Sequence, residues 1–297
     1  MRTFLWFLGL LVAGFAAMAL FAYPAWMLLH PHFDFPFHRI AGRVGMLALL
    51  VGFVSVARRL GLADRASLGY GVPRRMFLRE FCVALTLGVV LMLLVVAVML
   101  GLGLRIWQAG LDLHAAAMAR LLVQTLLSAL TVAVIEETFL RGAMFSGIAR
   151  ESGTRSAILL TALVYAAAHF IARYRIPAEL VVPSSGLAMV AGSLRAFADP
   201  LAIADAFAAL FAVGVLLAAV RAATGNIAAC IGLHAGWVWI MLIAHATSVV
   251  DVSRRMSFLL SRFDGFIGWL VLAWILVIGW PVYRFYLRRT ALIRHAG

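Results

Sequence analysis

Residues 131–169 read TVAVIEETFLRGAMFSGIARESGTRSAILLTALVYAAAH. Two apolar runs flank ARESGTR (149–155), whose charges, Ser152 and Gly153 mark a turn, so the stretch predicts a helical hairpin. Its first arm carries Glu136, Glu137 and Arg141 inside apolar sequence, and its second arm ends at His169. Glu136 lies 13 residues before Ala149, and His169 lies 13 residues after Ser156. At about 1.5 Å per residue, both stand roughly 20 Å from the turn, at one depth.

Composition says what surrounds that hairpin. The 297 residues are 65% hydrophobic and 12% charged, with a mean hydropathy of +1.04. A soluble domain of this length carries more charge and clearer amphipathic alternation. Several runs reach the roughly 20 residues that cross a bilayer. The fold class predicted is all-α, a polytopic bundle of about eight spans: 3–29, 40–57, 80–104, 121–149, 156–172, 201–221, 226–247 and 265–287. The first is too long and too apolar for a cleaved signal peptide, which predicts an uncleaved span. Cys82 and Cys230 read as small core residues without a disulfide framework.

The net charge of +13 is carried by arginine alone. In a soluble chain that balance would point to nucleic acid. Here the arginines fall mostly at the ends of apolar runs, so the partner is the bilayer and no nucleic acid is expected. Arg58, Arg59, Arg65, Arg74, Arg75 and Arg79 crowd the loop between spans two and three. The positive-inside rule places that loop and both termini in the cytoplasm, with 15 of the 25 arginines inside. The chain divides into residues 1–117 (N-terminal spans and basic loop), 118–247 (core) and 248–297 (last span and basic tail). HPHFDFPFHR (30–39) has the histidines of a metal box, but its prolines and phenylalanines favour an interfacial loop. Residues 173–200 form the longest loop and hold room for a short interfacial or re-entrant segment.

Ionisable groups at membrane depth are costly and mark function by default. Glu137 and Arg141 are four apart and can pair on one helix face, which makes Glu137 a structural brace. Glu136 is rotated about 100° from it and has no evident neutralising partner, which suits a general base acting on water. His234 and His245 lie on one stripe of the seventh span, about 16 Å apart, so only one readily joins Glu136 and His169; depth slightly favours His234 without deciding between them.

EETFLR (136–141), YAAAH (165–169) and GLHAGWVW (232–239), each on an apolar helix, resemble the CAAX protease and bacteriocin-processing family of intramembrane endopeptidases. The resemblance covers about residues 118–247. It implies that Glu136 activates water for attack on a peptide carbonyl, that His169 positions that water, and that His234 binds the oxyanion, with Glu137 and Arg141 supporting. The substrate it implies is a membrane-associated protein or peptide, and the setting a bacterial plasma membrane. Tyr165 replaces the family's Phe. Val238 replaces the family's Asn, with Trp237 and Asn226 as the nearby donors. Metal-free glutamate catalysis is favoured, because His-Glu-x-x-His is absent; zinc, if used, falls to Glu136, His169 and His234. A weakened member serving as an immunity or scaffold protein is the alternative that Val238 favours. A proton-coupled transporter ranks below both, since no inverted repeat is visible.

Overall fold

A computed structural model describes residues 1–111, 114–171 and 174–295. Its helices are α1 (Arg2–Leu29), α2 (Phe37–Arg59), α3 (Arg74–Gly101), α4 (Ala115–Glu137), α5 (Phe145–Ala168), α6 (Ser185–Ser193), α7 (Ala204–Thr224), α8 (Ala228–Thr247) and α9 (Trp269–His295). A π-helical turn, Thr138–Met144, joins α4 to α5 without a break. The chain is an all-α integral membrane protein.

Seven helical stretches among the described residues are long and apolar enough to cross a membrane. The longest, Ala115–Ala168, has 54 residues. Unbroken it would measure about 80 Å, more than twice the roughly 30 Å hydrocarbon core. Gly153 breaks it, with φ 81° and ψ 164°, a conformation that glycine alone adopts freely. Beyond it the second arm folds back along the first, so that the Arg141 guanidinium lies 4.5 Å from the Tyr165 ring centroid. Arg141 and Tyr165 are each twelve residues from Gly153, which puts the turn where the sequence placed it. The fourth and fifth expected spans are the two arms of this hairpin.

The most buried span is α8, which packs closely on α3. Gly232 and Gly236 make that approach close: a Cβ would stand 2.5 Å from the Phe81 carbonyl oxygen at one and 2.8 Å from that of Leu85 at the other. Small residues four apart let two helices meet at backbone distance in a bilayer, where no hydrophobic drive separates helix from lipid. Cys230 is buried here, whereas Cys82 is exposed on α3. The expectation of a core cysteine at 82 is therefore corrected: its helix turns that face outward.

The bundle has two distinct ends. At one, the Met1 amine and the Thr3 hydroxyl and amide hydrogen-bond the Glu151 carboxylate beside the hairpin turn. Arg150 donates to the Gly61 carbonyl and the Ser67 hydroxyl of the arginine-rich loop. In that loop Ser67 donates from its hydroxyl and its amide to Asp64, holding that carboxyl below the usual carboxylate range. At the opposite end, β1 (Arg105–Trp107) pairs antiparallel with β2 (Ser248–Val250), a small sheet that span counting does not foresee. Buried Arg105 organises it, donating to the Ser248 hydroxyl and to the carbonyls of Ser248 and Gly265. The 173–200 region contains α6, packed on α1.

Candidate active site

The π turn sets the first arm of the site. Glu137 accepts from Arg141 at 3.0 Å, the i,i+4 pair that the register predicted. Both side chains are 0% exposed. From α7 the Gly214 carbonyl accepts a further bond from Arg141 at 3.3 Å, while Glu137 Oε2 and Arg141 Nε are buried with no hydrogen-bond partner among the described residues. A second buried arginine, Arg221 of α7, donates to the Arg141 carbonyl at 2.9 Å and to the Ser146 hydroxyl at 3.3 Å. It fastens the turn by its backbone. From the other side Phe139 packs edge-on to Phe7 of α1, and Tyr70 shares a 2.7 Å hydrogen bond with Thr138.

His234, at 2% exposure, joins this pair from α8. Its Nδ1 lies 2.8 Å from Glu137 Oε1. That oxygen therefore accepts from both Arg141 and His234, and the His234 ring is held by a carboxylate. Its Nε2 stands 4.0 Å from Glu136 Oε2. Glu136 is a third exposed, yet its Oε2 is buried and has no hydrogen-bond partner among the described residues. The two adjacent glutamates thus separate as the helical register requires, one sealed in a charge network and one open.

His169 ends the second arm. Its Nδ1 is 2.7 Å from the Tyr165 carbonyl. A carbonyl only accepts, so Nδ1 carries the proton and Nε2 is left free. The Tyr165 ring stands between the two histidines, 4.5 Å from His169 and 5.8 Å from His234. Both histidines line a cavity of about 80 Å³ with Tyr165, Trp237 and Val238, and with Phe266 and Trp274 from the segment entering α9 and α9 itself. That is room for a few water molecules.

The structure thus brings Glu136 to His234, and His234 and His169 to one cavity. His245 is left outside it, exposed near the end of α8 with Phe266 5.5 Å from its ring. Asn226, a candidate replacement for the family's Asn, is occupied elsewhere: its side-chain oxygen accepts from the Ala228 amide at the start of α8. In the 30–39 stretch His30 stacks on Trp26 at 4.4 Å. Among the described residues no three His, Cys, Asp or Glu side chains gather as a metal-binding group. Span counting missed the Glu137–His234 bond and Arg221. An arginine at the end of an apolar run was the available signal for the latter.

The family model described as type II CAAX prenyl endopeptidase, Rce1-like, matches residues 118–240. The likeness to that family covers these residues, about two fifths of the chain. The match spans the π turn, both arms of the hairpin and α7, and enters α8 beyond His234, so the site lies wholly within the Rce1-like segment. It supports a CAAX-type intramembrane protease at the level of the family. No curated protein and no solved structure matches the chain.

Proposed function

We propose that the chain is an intramembrane endopeptidase that hydrolyses a peptide bond of a membrane-associated protein or peptide, with Glu136 as general base. The observation that carries this reading is the partnerless Glu136 carboxylate facing the Nε2 of a histidine whose other nitrogen is held by Glu137. The two histidines take different parts because different groups hold them. His169 is held by a neutral carbonyl, so its Nε2 offers a lone pair that accepts a hydrogen bond from water. His234 is held by a carboxylate, which balances the positive charge that an Nε2–H donor to an oxyanion requires.

The steps follow. Glu136 removes a proton from water as its oxygen bonds to the scissile carbonyl carbon, and the carbonyl electron pair moves to oxygen. His234 Nε2–H donates to that oxyanion. The oxyanion then reforms the carbonyl, the C–N bond breaks, and the proton on Glu136 passes to the departing nitrogen, giving a carboxylic acid and an amine. Both termini in the cytoplasm is the orientation that the arginine distribution supports, and a bacterial plasma membrane is the setting that the family resemblance implies.

Purified protein in lipid nanodiscs, given quenched-fluorescent peptides with and without an isoprenylated cysteine, tests this reading. Glu136→Gln is expected to lower kcat by about 10³-fold, while 1,10-phenanthroline leaves the wild-type rate unchanged. Equal cleavage by the variant excludes Glu136 as the base, and loss of activity to the chelator assigns the step to a metal.

A second reading rests on Val238. It lines the cavity where a donor would help an oxyanion, and one missing donor typically costs about 10²–10³ in rate. A weakened protease acting as an immunity or scaffold protein fits that feature. Wild-type protein that binds the peptides but matches Glu136→Gln in rate would favour it.

A further inference from the structure

A second cavity, about 470 Å³, opens at the end of the bundle away from the arginine-rich loop, between α1, α2, α6 and the segment leaving α5. Arg39 and Arg43 enter it from the first two turns of α2, and Arg175 from the segment after His169. Among the described residues none of the three makes an ion pair with a carboxylate. Arg43 lies 5.2 Å from the Phe35 ring centroid. The positive-inside rule gives no reason for three unpaired arginines at this end. Below them the floor is apolar, formed by Leu11, Phe15, Met18, Met46 and Leu49. Arg39 to Leu49 is ten residues of one helix, about 15 Å, the thickness of one hydrocarbon leaflet.

A cationic rim over an apolar floor one leaflet deep matches an amphiphile with an anionic head. Guanidinium groups bind phosphate oxygens by paired hydrogen bonds, and basic pockets between membrane helices hold anionic headgroups. We propose that this cleft is a binding site for an anionic phospholipid, its phosphate among Arg39, Arg43 and Arg175 and one acyl chain along the α1–α2 floor. The inference is independent of the protease reading. The lipid fills the space between the α1–α2 pair and the segment that leaves His169, so its headgroup ties those two parts together.

Native mass spectrometry of the full chain, released from nanodiscs of equal phosphatidylglycerol and phosphatidylcholine, tests the site. Wild-type protein is expected to retain phosphatidylglycerol over phosphatidylcholine by about tenfold or more. The triple variant R39Q/R43Q/R175Q is expected to lose that preference. Gly42 lines the cleft, and a Cβ there meets nothing within 4 Å. Gly42→Leu is therefore expected to intrude into the cleft and lower lipid retention several-fold with unchanged melting. Equal retention of both lipids by wild type, or a preference that survives either variant, overturns the proposal. Displacement of the lipid by millimolar inorganic phosphate makes the site one for a free anion and also overturns it. Loss of peptide binding in Gly42→Leu with lipid retention intact gives the cleft to the substrate instead.

Discussion

Glu136 and Glu137 are adjacent in sequence and occupy opposite kinds of environment. Glu137 is fully buried, shares one oxygen between Arg141 and His234, and belongs to a network that reaches Gly214. Glu136 is a third exposed and faces His234 across 4.0 Å with no bond of its own. One carboxylate is fully buried and paired through its Oε1; the other is partly exposed and makes no hydrogen bond among the described residues. A single step around the helix, about 100°, separates the buried, paired carboxylate from the one proposed as the base.

The sharpest way to break this contrast is to make the same substitution at both positions. Glu137→Gln leaves the Arg141 guanidinium buried without a counter-charge, a loss of roughly 3–5 kcal/mol. Its Tm, followed by circular dichroism in detergent, is expected to fall by roughly 10 °C, and the activity of the folded fraction to fall about 100-fold. Glu136→Gln is expected to melt with the wild type while losing hydrolysis. Matching melting curves would erase the distinction between brace and base.

Val238→Asn sharpens the comparison from the open side. It adds an amide donor to the cavity shared by the two histidines, and kcat is expected to rise about tenfold with KM little changed. An unchanged kcat would place the oxyanion elsewhere. The smallest effect is expected for Arg221→Lys, which keeps the charge and loses the fork that holds the Arg141 carbonyl and the Ser146 hydroxyl. A kcat lowered about threefold at constant KM is the signature of positioning. A changed KM at constant kcat would show that Arg221 acts on binding instead.

The sequence showed most of what runs along one helix or one hairpin. The i,i+4 pair of Glu137 and Arg141 needs only the helical repeat. The turn at Gly153 was legible because charges, serine and glycine interrupt two apolar runs of matching length. Contacts that depend on how separate helices rotate about their axes were not legible. Glu137 and His234 are 97 residues apart, and periodicity within each span is silent on which faces meet. The same limit hid the bond from Arg221 to the Arg141 carbonyl, the pairing of β1 with β2, and the outward face of Cys82. Periodicity also gives no sign of the π turn, since the same residues would read as α-helix; its register is fixed by what Arg221, Phe139 and Tyr70 hold from outside.

Gly153 carries a consequence for how such a chain can change in length. Because the two arms run back from one point, Arg141 meets Tyr165 only while both distances from that glycine stay equal. A residue lost from one arm would shift its side chains by about 1.5 Å and turn them by about 100° against the other. A change in the length of one arm therefore misaligns the two faces unless the other arm changes by the same number of residues.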